Sequence, residues 1–312
     1  MAKHIREVQI EAYRGIEELK LEGLNHINML IGDNNSGKTS VLEIISSVDN
    51  PHNIGTWVAI TREYTSRRRN FFNGLREVEF KKEDALLDTT CMHLSVSLNG
   101  TRINQYQIYD FENRVSMFVD KKKSFVRTVY VSPNDHAMGK VYLHNVLADA
   151  ELYEEMLQIL QEFDENIISI NSVKVNEFSE SLEYMVLTRN HKRALPLKVY
   201  GDGMKKAIVL LSAVLEAKNG ILLLDEFETA IHTSAMDTIF SWILESAKKL
   251  NVQVFLTSHS KEAIDKVLRC KENLQPDINV YTLYKQNGKN LVRSMNCYEA
   301  MKAQDSLGLE LR

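Results

Sequence analysis

The sequence predicts an α/β fold built around a parallel sheet, with a β-rich lobe and a mixed helical and β insertion beside it. Short, mainly apolar runs at His26–Ile31, Ile221–Leu224 and Val252–Thr257 have the character of strands covered on both faces. In the last third of the chain such runs alternate with helical segments, which implies parallel pairing through βαβ crossovers. From about residue 71 to Val131 the pattern is mostly β instead. The 312 residues suffice for one large domain or two smaller ones with a sizeable core.

Taken in order, Ile5–Ala12 alternates as a strand does, and Ile16–Leu21 reads as a second strand. His26–Ile31 runs into Gly32, and Thr39–Ser47 follows with helical spacing, Val41, Leu42, Ile44 and Ile45 forming its apolar side. Strands are predicted at Met92–Leu98, Ile103–Asp110, Val115–Val119 and Phe125–Val131, with Asn99-Gly100 as a hairpin turn. Residues 140–163 read as one helix whose apolar stripe runs from Leu143 to Phe163. Ile167–Val175, Leu182–Leu187 and Leu195–Val199 read as strands and Asp202–Ala217 as a helix. After the buried strand Ile221–Leu224 come a helix at Ala235–Leu250, the strand Val252–Thr257 and a helix at Lys261–Val267. Asn279–Tyr284 and Leu291–Ser294 are expected to close the sheet. With only four prolines and no Gly- or Ser-rich linker, pattern changes set the expected divisions at 1–131, 132–198 and 199–312.

Composition narrows the function classes. Lys and Arg total 38 and Asp and Glu 42, a net charge of −4, which argues against coating nucleic acid through bulk charge but leaves room for a local basic groove. Cys91, Cys270 and Cys297 form no C-x-x-C pair, so a disulfide framework or a cysteine zinc site is not expected, and a reducing cytoplasm fits. Ala207–Leu215 and Ile221–Leu224 fall far short of the roughly 20 apolar residues of a membrane span. The N-terminus has charge without an apolar core to follow, so no secretory signal is expected, and the chain reads as cytoplasmic.

Three segments carry chemistry. Gly32-Asp33-Asn34-Asn35-Ser36-Gly37-Lys38-Thr39 fits G-x-x-x-x-G-K-[ST], between a strand and a helix. Such a loop must turn its N–H groups inward around phosphate oxygens, which glycine permits. Lys38 is expected along the β- and γ-phosphates, the Thr39 hydroxyl on Mg²⁺, and the following helix end, including Ser40, on the anion. Ile221–Leu224 ends in Asp225 and Glu226, at the carboxyl end where ligands of parallel sheets lie. Asp225 is expected to hold Mg²⁺, and Glu226 to polarise the attacking water. The strand ending in Thr257-Ser258-His259 brings His259 to the same crevice, toward a γ-phosphate. A fourth segment, Tyr200-Gly201-Asp202-Gly203-Met204-Lys205-Lys206, opens a helix whose unpaired N–H groups suit an anion held by another subunit.

Together Tyr13-Arg14-Gly15, IGDNNSGKTSVLE (31–43), YGDGMKK (200–206), LLLDEFETAIHTS (222–234) and LTSHS (256–260) resemble the ABC-type ATPases of the RecF-like and OLD-like kind, filed under a broad AAA ATPase heading. The resemblance covers both ends of the chain, while residues 50–195 match only as a variable insertion. It implies a P-loop NTPase core of ABC-ATPase type that hydrolyses ATP with Mg²⁺. Catalysis would rest on Glu226, His259 and Lys38, metal binding on Thr39 and Asp225, and nucleotide contact on Arg14, Gly32 to Ser40, Gly203 and Lys205. Gly201 stands where a standard ABC signature has Ser, and Glu228 to His232 reads Glu-Thr-Ala-Ile-His where the family has E-N-G-L-H. Ser132-Pro133-Asn134 occupies the expected Q-loop region without a glutamine.

The resemblance also implies a homodimer or higher homo-oligomer that sandwiches ATP between one copy's phosphate loop and the other's signature helix. No long heptad region separates the two halves, which disfavours the long-armed relatives. About 50 residues follow His259, leaving no room for a Toprim nuclease, so a stand-alone ATPase with a separate nuclease or toxin effector is expected. Basic clusters at Arg67-Arg68-Arg69, with Tyr64, Phe71 and Phe72 nearby, and at Lys121-Lys122-Lys123 are candidate DNA contacts. Two functional readings follow. One is an ATP-hydrolysing protein acting in DNA transactions, anti-phage defence or repair. The other is a nucleotide-gated scaffold that sequesters and releases an effector without acting on DNA.

Overall fold

The computed structural model describes residues 3–13, 16–46, 49, 81–82, 90–98, 101–111, 114–119, 126–133, 135, 141–143, 146–174, 182–229 and 233–307. Strands β1 (Glu7–Tyr13) and β2 (Ile16–Leu21) form an antiparallel pair. Then come β3 (Ile27–Ile31), helix α1 (Lys38–Ser46), β4 (Lys81–Lys82), β5 (Thr90–Leu98), β6 (Thr101–Phe111), β7 (Arg114–Val119) and β8 (Thr128–Val131). The middle holds α2 (Ala150–Phe163), β9 (Ile167–Lys174), β10 (Leu182–Thr188) and β11 (Leu195–Pro196). The last third holds α3 (Asp202–Glu216), β12 (Ile221–Leu224), α4 (Thr233–Lys249), β13 (Gln253–Thr257), α5 (Lys261–Leu268), β14 (Ile278–Gln286), β15 (Lys289–Asn296) and α6 (Cys297–Leu307).

One sheet runs β15-β14-β3-β13-β12-β8, parallel at every ladder except the β14–β15 hairpin. Its central strand β3 comes from the N-terminal part of the chain, yet it pairs with β13 on one side and β14 on the other. The strand interiors explain why the sheet lies inside. Ile27, Met29 and Ile31 of β3, Leu222 and Leu224 of β12, and Val254 and Leu256 of β13 face one apolar cluster, with α3 and α4. Leu30, Ile221, Leu223 and Phe255 face a second, with α1 and the β1–β2 pair. Period-two alternation between two buried clusters requires apolar residues at most positions, which is why these runs lack a polar face, and the buried Asn28 and Gln253 are satisfied by bonds to the Asn25 and Ile5 carbonyls.

The other sheets are β2-β1-β5-β6-β7, with β4 on β5, and the three-stranded β11-β10-β9. They correspond to the β-rich and mixed regions the sequence predicts. Among the described residues no helix is long and apolar enough to cross a membrane.

The structure corrects the expected elements at three places. The helix read over 140–163 begins only at Ala150, because Asp149 accepts a hydrogen bond from the Leu152 N–H at 3.1 Å and caps it. Leu143 has no regular conformation, and Val146–Ala148 is a 3₁₀ turn, although Leu143 and Val146 share the helix's buried cluster. The strand read over Leu195–Val199 stops at Pro196, which has no N–H for a ladder, and Leu197–Val199 winds into a 3₁₀ turn. Helix α6 was not anticipated. Arg14, Gly15, Tyr64, Arg67 to Arg69, Phe71, Phe72, Asn99-Gly100, Lys121 to Lys123, Asn134 and Ala230 to His232 lie outside the described residues.

Candidate functional site

The loop after β3 departs from the sheet through Gly32, whose φ is +138°. A Cβ there would lie 2.1 Å from the Leu283 carbonyl oxygen of β14, so only glycine lets the loop leave the strand so close to its neighbour. Asn35 (φ +65°) and Gly37 (φ +102°) complete the turn, and a Cβ on Gly37 would meet the Ile16 side chain at 2.9 Å. The Val41 N–H donates to the Gly37 carbonyl at 2.9 Å as α1 begins. Lys38 folds back over the loop and donates to the Gly32 and Asp33 carbonyls at 2.7 and 2.8 Å. Burial pulls its pKa down, while the carboxylates of Asp225, Asp33, Glu226 and Glu228 oppose that shift.

Asp225 follows β12 and is 1% exposed. It accepts hydrogen bonds from Thr257 Oγ1, from Thr39 Oγ1 at 3.3 Å and from Tyr130 Oη at 3.1 Å. Glu226 has a φ of +47°, an uncommon conformation for a side chain with a Cβ. Its backbone is held there because its N–H donates to Thr257 Oγ1 at 2.8 Å. Its Oε1 lies 2.9 Å from His259 Nε2. The parallel register of β12 with β13, which sets Leu224 beside Leu256, therefore brings both polar strand ends into one crevice.

These groups border a cavity of about 670 Å³. Asn34, Asn35, Gly37, Lys38, Thr39, Ser40, Asp225, Glu226 and His259 line it, all of them singled out in the sequence. Gly32, Asp33 and Ser36 shape the loop from behind. Segments 186 positions apart meet at the Thr39–Asp225 contact. A small hard cation fits this donor pair, one hydroxyl and one carboxylate at the cavity edge. Among the described residues no three His, Cys, Asp or Glu side chains form a cage, so such a cation would take its remaining ligands from phosphate and water, as Mg²⁺ does.

Residues 96–265 match the family model described as "AAA domain, putative AbiEii toxin, Type IV TA system". That is more than half of the chain. The chain belongs to this AAA ATPase family. Residues 4–136 also match the AAA ATPase domain model, and the family carries ATP binding and hydrolysis to the chain. An "ATP/GTP phosphatase" of Helicobacter pylori is 23% identical over 337 residues, 86% of this chain and 89% of that protein. An uncharacterized protein of Methanocaldococcus jannaschii is 36% identical over 115 residues, 36% of this chain and 98% of that one. Among solved structures, an Smc head bound to the C-winged helix domain of ScpA superposes with a TM-score of 0.61 at 14% identity, covering 96% of this chain and 100% of that one. The recombination mediator protein RecF in its ATPrS complex gives 0.53 at 14% identity, over 93% and 98%. At such identities the likeness is one of fold, the ABC-type P-loop head.

Not every expected residue of this AAA ATPase joins the cavity. Gly203 and Lys205 open α3 and are not among the lining residues. Conversely, Ile16, Lys285 and Asn290 line it without having been foreseen. Lys285 and Asn290 sit directly opposite each other on the β14–β15 hairpin, whose turn residues Asn287 and Gly288 have φ of +53° and +77°. The Asn-Gly pair signals the hairpin, but only the tertiary fold reveals that it flanks the phosphate loop. Tyr130, which also positions Asp225, carries no motif, and Thr257 lies in the LTSHS stretch without its bond to Asp225 having been foreseen.

Proposed function

We propose that this AAA ATPase binds ATP with Mg²⁺ in the cavity, hydrolyses it from an assembly of two or more copies, and passes the resulting change to a separate effector protein in a DNA-linked process such as anti-phage defence or repair. The observation that carries this reading is the convergence of Lys38, Thr39, Asp225, Glu226 and His259 on one crevice. Lys38 exchanges the Gly32 and Asp33 carbonyls for the β- and γ-phosphate oxygens. Thr39 and Asp225 would hold the cation, which would supply charge neutralisation to the phosphates. Glu226 takes the proton of the attacking water, and His259 orients Glu226 and faces the γ-phosphate. Gly32 to Ser40 wrap the phosphates, and Arg14 contacts the nucleotide.

The sheet order gives the nucleotide a direction. Asp225, Glu226 and His259 follow β12 and β13, to one side of β3, whereas Lys285 and Asn290 lie on β14 and β15, to the other. With the γ-phosphate toward the acids, the hairpin faces the nucleoside end.

Assembly is supported by glycines that the single chain does not need. Gly201 and Gly203 are exposed, neither has a positive φ, and a Cβ on either would meet nothing within 4 Å. The N-cap of α3 has no side-chain bond. Bare N–H groups with no internal reason for glycine suit a close approach from outside, here the nucleotide of a second copy, with Lys205 adding charge. The Smc head seen with part of ScpA is consistent with an effector that is a separate chain.

Glu226→Gln tests the reading. It should bind ATP, lose turnover by about two orders of magnitude or more, and accumulate as a closed assembly. Normal turnover by Glu226→Gln would remove Glu226 as the base. Steady-state hydrolysis with and without double-stranded DNA separates the two readings: stimulation supports DNA coupling, and slow DNA-indifferent turnover with ATP-dependent oligomers supports the scaffold.

A further inference from the structure

Glu228 lies two residues beyond the general base, at the turn after β12. One of its oxygens, Oε1, accepts three hydrogen bonds from the segment that follows β13: Ser258 Oγ at 2.8 Å, the His259 N–H at 3.2 Å and the Ser260 N–H at 3.2 Å. Ser260 in turn caps α5 through Ala263 N–H at 3.2 Å, so the carboxylate grips the whole junction between strand and helix. Among the described residues the other oxygen, Oε2, is buried without a hydrogen-bond partner, and so is Nδ1 of His259. A buried acceptor and a buried donor-capable nitrogen, both unsatisfied on neighbouring groups, are costly to leave apart. Both become satisfied if Nδ1–H donates to Oε2.

We infer that Glu228 is a positioning residue for His259 during ATP hydrolysis. Its Oε1 fixes the backbone of the histidine, and its Oε2 accepts Nδ1–H once nucleotide occupies the cavity. With Nδ1–H on Oε2 the ring is held between anions as the imidazolium, and its Nε2–H is free to donate to Glu226 and the reacting phosphate. The inference rests on the nucleotide reading of the cavity and adds an orienting acid to it.

The test compares Glu228→Ala, Glu228→Gln and His259→Ala, singly and combined. Gln keeps an acceptor for the three clamp donors but sets an amide N–H₂ against Nδ1, which removes the acceptor for Nδ1–H. Both Glu228 variants should bind ATP within about twofold of the native protein, with kcat down about 100-fold for Ala and about 10-fold for Gln. Neither loss should add to that of His259→Ala, because Glu228 acts through the histidine. With a non-hydrolysable ATP analogue bound, the ring ¹⁵N shifts of His259 should report a protonated Nδ1 in the native protein and not in Glu228→Gln. Additive losses, or a Glu228→Gln protein with native kcat and native ring shifts, would overturn the inference. If Lys38→Ala still binds and turns over ATP normally, it is the nucleotide reading that fails instead.

Discussion

His26 opens the sheet's central strand with its side chain 1% exposed and neither ring nitrogen hydrogen-bonded. Burial drives its pKa down to about 4, with Lys248 and His4 pushing the same way and Asp277 opposing. The unfolded chain takes up a proton near pH 6.5 that the folded chain refuses until about pH 4. Stability is therefore intact above the unfolded value and falls as pH drops through that window, by ~2 kcal/mol at pH 5 and ~3 kcal/mol below pH 4. His26→Leu should be at least as stable as the native protein at pH 7, since an aliphatic side chain needs no partner there. It should also lose much less of its thermal midpoint between pH 7 and pH 5. Parallel pH curves for the two proteins would show that another group titrates. Burial also pushes the thiols of Cys270 and Cys297 up to about 11 and 12, so both stay protonated at neutral pH.

At the scale of elements, the β14–β15 hairpin is a wall of the phosphate-loop cavity as well as the edge of the sheet. Leu283 presses against Gly32, which ties the hairpin to the phosphate loop, and Lys285 reaches the cavity two residues further on. A contact made to the nucleoside end is present equally in the ground and transition states. Lys285→Ala should thus raise KM for ATP several-fold with kcat nearly unchanged, and weaken ADP binding by the same factor. A fall in kcat at constant KM would move Lys285 to the reacting end. The elements differ in how far they could be read in advance. Strand β12 was legible to the residue because four aliphatics between Gly220 and Asp225 leave no other register. The phosphate loop was legible because its glycines, lysine and threonine are fixed by what they must do to a phosphate. Helix α2 was overextended because Leu143 and Val146 continue its apolar spacing while an Asp149 cap ends it, and burial alone does not distinguish the two. The role of Lys285 was invisible because strand order β14-β3-β13 is a long-range property, and nothing local in residues 278–296 states which strand they join.

At the scale of the whole molecule, the chain folds segments from both ends around one cavity but leaves the start of α3 turned outward. Val199, just ahead of the two exposed glycines, is 60% exposed, an apolar side chain beside bare helix N–H groups. A monomer gains little from this pairing: the valine gains nothing in water, and Gly203, inside the first turn, costs backbone entropy, although Gly201 suits the N-cap. Both features are accounted for if a second copy brings its phosphate loop and bound ATP against this end. The consequence is kinetic. If the second copy completes the site, turnover per protomer must rise with protein concentration, because the catalytic unit is formed by association. Val199→Asp sets a carboxylate where the partner's triphosphate would approach, so it should shift that concentration dependence upward by about tenfold or more, a repulsion of a little over 1 kcal/mol. Its ATP affinity as a monomer should not change, since residue 199 is not among the residues that line the Lys38 cavity. Turnover per protomer that stays constant over about three decades of concentration, in the native protein and in Val199→Asp alike, would mean that one copy is sufficient and that the glycines at 201 and 203 serve something other than ATP.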